Sequence, residues 1–424
     1  MKHLAAFLVM VSVLQAHALY AQSVAITLEE CYTLAEQNYP LIRQRDLIDR
    51  TSEYTIQNLS TSHMPQLVVN GQATYQSEVT QVPIRIPGQE IPTISKDQYK
   101  VFAEVSQVIF DGGTVSRQKQ AQQADAAIET ERLEVELYKL KERINQLFFG
   151  ILLVDEQLRQ TDLLKQDIRL GMGKTEASIA NGTAFRSSLD ILKAELLKAD
   201  QRTIELTAQR KAYADMLALF INRELNEQVA LAKPAEAIAN GEITRPEMQV
   251  FKYQTESLAI QDKILSARNT PKLSLFLQGG YGRPALNMLD NTLKGYYIGG
   301  VRLNWSLSGL YTTKRDRAIL DLSRKNIEVQ RETFLFNTNL TLRQQNAEVA
   351  RYKDLLATDD EIVTLRTSVK NTSSVQLSNG AITTNDYLRE VNAEDQARQA
   401  RIVHEIQRLM AQYTLRTTMG SSNE

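Results

Sequence analysis

Cysteine is almost absent: the chain of 424 residues has one, Cys31. A lone cysteine excludes an internal disulfide, and without a CxxC pair it excludes cysteine-ligated zinc. Histidine is nearly as scarce. Of the four, His3 and His17 fall in an N-terminal export signal, which leaves His63 and His404, too few for a His-rich metal site. No Ser–His–Asp or Cys–His constellation has support in the sequence, so neither an enzyme nor a cofactor is expected. Gly171-Met172-Gly173-Lys174-Thr175 lacks the GxxxxGK[ST] spacing of a phosphate loop and follows a helix. Charge of one sign is missing as well. With 49 Lys+Arg against 50 Asp+Glu the net charge is -1, which removes any strong electrostatic case for nucleic acid or acidic lipid. Beyond the N-terminus every long apolar pattern is broken by charges, so no transmembrane helix is expected. Nine prolines and 18 glycines leave room for long helices and little loop.

What is present begins with the export signal. Lys2 and His3 precede an apolar run from Leu4 to Leu14, and Leu19-Tyr20-Ala21 offers a small-residue cleavage site. Residues 1–21 read as a signal peptide, with a mature start at Gln22. The run is shorter than the ~20 apolar residues a spanning helix needs. Cys31 is not in a lipobox, so no lipid anchor is expected.

The mature chain repeats itself. Pro40 and Pro65 stand 25 positions apart, and so do Pro246 and Pro271. Each second proline leads into an alternating segment, Leu67 to Tyr75 or Leu273 to Tyr281. A loop follows, then a second alternating segment, Gln98 to Phe110 or Gly295 to Leu307. A glycine turn comes next, Asp111-Gly112-Gly113 or Ser308-Gly309, then a very long helical pattern. That pattern breaks at Asn181-Gly182 in one half and Asn379-Gly380 in the other, where Asn and Gly tolerate positive φ, and a last helix closes each half. The expected organisation is a first repeat over 22–222, with strands in 65–110 and a long helix pair over 114–222. A joint at 223–242 follows. A second repeat over 243–424 has strands in 271–307 and a helix pair over 310–418.

From Thr114 to about Leu170 there is no proline and only Gly150. Leu133, Leu137, Leu140, Ile144, Leu147, Ile151, Val154 and Leu158 recur in alternating steps of four and three, a heptad seam. Phe148 and Leu152 widen it, so that the helix can pack on two neighbours. Leu189, Leu192, Leu196 and Ala199 start a similar seam, and a helix of comparable length is expected from Tyr311 to Val369. Taken alone, these helices fit an ordinary long coiled coil equally well.

The alternating segments shift that balance. Leu67, Val69, Gly71, Ala73 and Tyr75 share one face, as do Tyr99, Val101, Ala103, Val105 and Ile109. So do Leu273, Leu275, Leu277 and Tyr281, with Phe276 out of pattern on the polar side, and Tyr297, Val301, Leu303, Trp305 and Leu307. Nine to thirteen residues suffice for a tilted barrel strand, and Tyr75, Tyr99, Tyr281, Tyr297 and Trp305 near the ends suit a lipid-facing aromatic girdle. Lys100, Glu104 and Arg302 alternate to the other face, which in a barrel is the lumen. A soluble four-stranded sheet packed on helices is the competing reading. Four strands cannot close a membrane barrel, and an open edge in lipid leaves costly unpaired backbone groups. The chain must then oligomerise, as a dimer with eight strands or a trimer with twelve.

The whole ordered set resembles the TolC-like outer-membrane efflux proteins. Thr27-Leu28-Glu29-Glu30-Cys31 with Ala35 and Asn38-Tyr39-Pro40 is similar to that family's N-terminal helix. Met64-Pro65-Gln66-Leu67 and Thr270-Pro271-Lys272-Leu273 resemble its strand entries. Gln107-Val108-Ile109-Phe110-Asp111-Gly112-Gly113 resembles its strand-to-helix turn, and Gly380-x-x-Thr383-x-x-Asp386-x-Leu388 its periplasmic tip. The resemblance implies a mostly α, α+β membrane protein of the Gram-negative outer membrane that extends into the periplasm. It implies a homotrimer, with one shared twelve-stranded barrel and a coiled-coil helical tunnel. The tunnel docks on a periplasmic adaptor and an inner-membrane pump, and the duct conducts substrates passively. It implies further that the tips at Asn181, Gly182, Asn379, Gly380 and Thr383 receive the adaptor. Asp386 corresponds to an acidic residue ringing the inner mouth, with Asp190 as the weaker counterpart in the first repeat. A second acid three positions on is common in the family, whereas this chain has Arg389 followed by Glu390, so Arg389 alters any acidic ring.

Ser187-x-x-Asp190 and Thr383-x-x-Asp386 also match the capping-box spacing, so both acids have a plain reading as helix starts. Two alternatives stand beside the efflux duct. The exit duct of type I protein secretion uses the same architecture. A periplasmic coiled-coil adaptor or scaffold should show one helical hairpin, where this chain shows two.

Overall fold

The structure, a computed structural model, describes residues 25–81, 83, 88, 93–225, 229–237 and 241–420. The expected signal peptide lies outside them, as do Pro87 and Pro92 of the first hairpin loop. The helices are α1 Leu28–Asn38, α2 Gln44–Ser60, α3 Thr114–Tyr138, α4 Leu140–Ala180, α5 Arg186–Ile221, α6 Pro246–Arg268, α7 Leu310–Ser378 and α8 Thr384–Met419. The strands are β1 Gln66–Tyr75, β2 Asp97–Phe110, β3 Lys272–Arg283 and β4 Lys294–Asn304. The chain divides into two compact units, each assembled from segments of both halves.

One unit comprises the residues up to Arg43, Leu133–Pro246 and Thr333 onward. Its core is the seam read from the sequence. Leu133, Leu137, Leu140, Ile144, Ile151 and Val154 are buried, with Phe148 and Leu152 beside them. α4 packs on both α5 and α8, as a two-sided seam requires. From α5 come Leu192, Ala199, Leu206, Ala214, Leu217 and Ile221, and from α8 Leu388, Val391, Ile406 and Leu409. Full burial of each large apolar side chain is worth roughly 1.5–3 kcal/mol. α1 is capped by Thr27, whose Oγ1 accepts the Glu30 N–H at 3.2 Å, and Glu29 and Glu30 sit against the positive helix end. Ile26 pairs in parallel with Leu231 of the joint.

The expected helix from Thr114 to about Leu170 is two helices. The division is slight, because Lys139 keeps right-handed backbone (φ -62, ψ -20) while its N–H reaches Val135 O only at 3.4 Å. α4 then continues to Ala180, and α7 runs over 69 residues, nine beyond the expected Val369 end.

The other unit comprises Gln44–Arg132 and Glu247–Glu332. It carries a four-stranded antiparallel sheet in the order β1-β2-β3-β4. The two hairpins are adjacent through β2 and β3, with a register shift between Val108 and Phe110. β4 ends at Asn304 and not at Leu307. Trp305 therefore lies past the strand, where its indole Nε1 donates to Asn269 O at 3.1 Å.

Candidate functional site

Register aligns the sheet's side chains into rows across all four strands. Leu67, Val105, Leu277 and Gly299 form one row, Val69, Ala103, Gly279 and Tyr297 the next, and Gly71, Val101, Tyr281 and Gly295 the third. These rows make the apolar face, and it is bare. Leu67, Val69, Leu277, Val301 and Leu303 are each more than half exposed, and Tyr75 and Tyr297 reach 80%. An apolar face of this extent on a single chain marks a surface that something else covers. The outer edges of β1 and β4 also pair with nothing among the described residues. Tyr75, Tyr99 and Tyr281 cluster at the hairpin end, Tyr297 lies one row inward, and Trp305 stands at the opposite end. From Tyr99 to Ile109 the face runs about ten residues, or ~33 Å at ~3.3 Å each. Tilted as barrel strands are, that is a band about 25 Å tall, the height of an outer-membrane apolar belt.

The other face is polar. Arg302 Nη1 donates to Glu104 Oε1 at 2.9 Å, and its guanidinium lies 4.5 Å from the centroid of the Phe276 ring. That stacking accounts for Phe276, the residue out of pattern in the sequence. Lys100 pairs in register with Gln72 and Gly282 on the same face. The three charges share a face as expected, and two of them form a pair the sequence did not indicate.

At one end of the helical unit lie the two breaks. Gly182 and Gly380 adopt φ of 74 and 68, a region where a side chain is strained, and both they and Asn181, Asn379 and Thr383 are at least partly exposed. Thr383 caps α8 in a full capping box: its Oγ1 accepts the Asp386 N–H at 3.2 Å, and Asp386 Oδ2 accepts the Thr383 N–H at 3.2 Å. The Thr383 hydroxyl and then its backbone N–H hold the Asp386 carboxyl below its ordinary value. Arg389, strongly exposed, lies 3.9 Å from Asp386 and 3.2 Å from Glu390. The first break differs. α5 starts at Arg186 with Phe185 as N-cap and no side-chain cap, so Ser187 and Asp190 form no capping box. The helix begins two residues earlier than the Ser187 spacing requires, which places Ser187 inside the first turn.

Behind these breaks the helices lock through groups the sequence did not single out. Tyr387 is buried and donates to Asp167 O at 3.1 Å, and burial pushes its hydroxyl up to about 12. Gly171 is required beside it, since a Cβ there would stand 2.6 Å from the Tyr387 ring. Leu377, Val391, Ile168, Leu192 and Leu388 pack around this point. A polar layer lies next to it. Lys370 Nζ is 2.8 Å from Asp167, buried Glu394 accepts from Arg398 and Thr367, and buried Asp395 accepts from Gln160 at 3.0 Å. His404 pairs with buried Asp359 at 2.6 Å. The Thr367–Glu394 and Gln160–Asp395 partners lie 27 and 235 positions apart, so no local spacing announces them. Among the described residues no cluster of three metal-binding side chains occurs, and no helix is long and apolar enough to cross a membrane.

Residues 31–223 match the family model described as outer membrane efflux protein. No curated protein matches the chain. Among solved structures it is similar to CusC, at 12% identity and a TM-score of 0.66, over 93% of this chain and 92% of that one. It is similar to VceC from Vibrio cholerae at 12% identity and TM-score 0.64, over 94% and 97%. The open-state MtrE outer membrane channel of Neisseria gonorrhoeae gives 14% identity and TM-score 0.63, over 93% and 88%. At such identities the likeness establishes the fold, a mostly helical chain with a small sheet of four strands. The resemblance read from the sequence agrees with the family model over residues 31–223 and with the fold of these structures.

Proposed function

We propose that this chain, a member of the outer membrane efflux protein family by residues 31–223, is the exit duct of a tripartite efflux system. The observation that carries this reading is the bare apolar face on a sheet with both edges open. Three copies supply twelve strands, β4 of one pairing with β1 of the next, so that no edge faces lipid. The apolar rows and the tyrosines then meet lipid. Glu104, Arg302 and Lys100 line a watery lumen whose mixed charges favour neither anions nor cations strongly. The two repeats, 22–222 and 243–424, each give one strand hairpin and one long helix pair to the assembly. Conduction is passive, driven by an inner-membrane pump through a periplasmic adaptor that seats on the exposed breaks at Asn181-Gly182 and Asn379-Gly380.

Asp386 serves both as the α8 cap and as one member of a three-carboxylate ring at the inner mouth. Arg389 beside it weakens the ring's preference for cations. In planar bilayers, Asp386→Asn relieves block of single-channel current by divalent cations at low salt; unchanged block leaves Asp386 a capping residue only. The assembly itself is tested by light scattering of the full chain in mild detergent. A mass of three chains, with aggregation on detergent removal, is expected. A monomer that stays soluble without detergent rejects the duct.

A further inference from the structure

The charges on the polar face of the sheet are unevenly paired. Glu104 is committed to Arg302 at 2.9 Å, and Lys294, in the row of Lys100 and Gly282, is committed to Asp290. Lys100 and Lys272 are left without an ion pair among the described residues, and the four strands put no further carboxylate on that face. Lys272 differs from Lys100 in its surroundings. It is the register partner of Asn304, on the face of Ser274 and Arg302. Where the strands end there is an open cavity of about 470 Å³, whose wall includes Arg268, Lys272, Asn304, Ser306, Ser308 and Thr312.

Arg268 likewise has no ion pair among the described residues, and the wall holds no carboxylate. The acids on the elements that meet here are spent or set apart. Asp262, on the helix of Arg268, is engaged by Arg317 at 3.1 Å, and Asp111 by the N–H groups of Gly113 at 2.8 Å and Val115 at 2.7 Å. Asp316, four residues past Thr312 on α7, is not part of the wall. Ser306 and Ser308 share one hydrogen bond at 2.9 Å, which uses one hydroxyl proton and leaves the other to donate. Two unpaired cations, a hydroxyl donor and the Asn304 amide suit an oxyanion with several acceptor atoms, which a phosphate group is. The face says where that anion comes from. Lys272 and Asn304 alternate with Leu273 and Leu303, so they lie opposite the apolar side, on the side the duct reading assigns to the lumen. The lumen wall as a whole stays mixed in charge, but this end of it is cationic, and unpaired cations on a pore wall recruit anions from the stream.

We propose that this cavity is an anion site on the lumen wall, at the helix-side end of the sheet, and that it holds the phosphate group of a solute in transit between Arg268 and Lys272. The proposal rests on the exit-duct reading. The cavity lies within one chain, so binding is measured first without a membrane, by calorimetric titration of the full chain in mild detergent and phosphate-free, low-salt buffer. The probes are inorganic phosphate and glycerol phosphate. An Arg268→Gln/Lys272→Gln variant should bind both roughly thirtyfold more weakly than the parent, and Lys272→Gln alone about fivefold. An Arg268→Lys/Lys272→Arg exchange should retain binding. Lys100→Gln removes the same charge from the same face, in the row of Gly282, ten residues along β3 from Lys272, and should leave binding nearly unchanged. Equal binding by parent and double variant overturns the site, as does a loss in Lys100→Gln as large as in Lys272→Gln. Glycerol phosphate bound at least as tightly as the free ion supports a phosphorylated solute; binding of inorganic phosphate alone overturns that assignment. In planar bilayers the same probes should partly block the parent's current, and the double variant should need roughly thirtyfold more for equal block. Current unaffected by phosphate, in a parent that binds it, overturns the lumen placement. A parent that opens no channel rejects the duct instead, while calorimetry still decides the site, so the two failures are distinguishable.

Discussion

Leu277 and Gln278 are neighbours in β3 that face opposite ways, and the duct reading assigns them opposite tolerances to charge. Leu277 is 57% exposed in the single chain, so in a soluble sheet a lysine there would change stability by no more than ~0.5 kcal/mol. In a barrel it faces lipid. It lies four residues from both Tyr281 and Leu273, ~13 Å along the strand from either limit of the apolar face, which is the middle of the belt. Lysine at the bilayer midplane costs about 2–4 kcal/mol, or roughly 30- to 700-fold in the insertion equilibrium per chain. Gln278 sits in the row of Glu104 and Ile298 on the polar face. A lysine there gains a carboxylate neighbour and meets water, so it should be nearly neutral. The assay is folding into liposomes across a urea titration, followed by heat-modifiable migration and flotation. Leu277→Lys should insert poorly and Gln278→Lys as the parent does. If both insert equally, the bare face is not a lipid face and the barrel argument fails.

The helical unit gives further tests. Gly171→Ala should lower the temperature of thermal unfolding in detergent by an overpacking cost of ~1–3 kcal/mol, because the buried Tyr387 ring cannot move aside. Gly173→Ala, with open space around it in the same helix, should be neutral or stabilising by up to ~1 kcal/mol. Leu192→Ala, at a fully buried site, should cost about 2–5 kcal/mol by the same measurement. Asp395→Asn tests the polar layer through pH. Burial raises the Asp395 carboxyl above its ordinary value despite its Gln160 bond, so the folded state keeps this proton to higher pH than the unfolded chain. Stability from this group is therefore greatest below the ordinary carboxylate range and falls as pH rises through the raised value. Asp395→Asn should raise the unfolding temperature at neutral pH, with the gain shrinking as pH falls into the ordinary carboxylate range; a constant gain at all pH values would contradict the buried-charge account.

The sequence by itself determined whatever a local period expresses. Alternation assigned Leu67, Val105, Leu277 and Val301 to one face of the strands, because successive side chains must point to opposite sides. The four–three spacing from Leu133 to Val154 found the core stripe of α4, and Asn-Gly pairs found the helix breaks, because only backbone tolerant of positive φ turns there. Spacing suggested capping boxes at both Thr383–Asp386 and Ser187–Asp190, and the structure forms only the first. Only the tertiary structure decided the rest, and in each case the partner comes from elsewhere in the chain. Arg302 covers Phe276 and so keeps an aromatic ring on the polar face. Asn269 O receives the Trp305 indole beyond the end of β4. Glu394, Asp395, Tyr387 and His404 read as ordinary helix residues until Thr367, Gln160, Asp167 and Asp359 are brought against them. Side-chain pairing between distant segments leaves no period in the sequence. The fold and its apolar sheet face were therefore legible before the structure, while the contacts that hold its helices together were not.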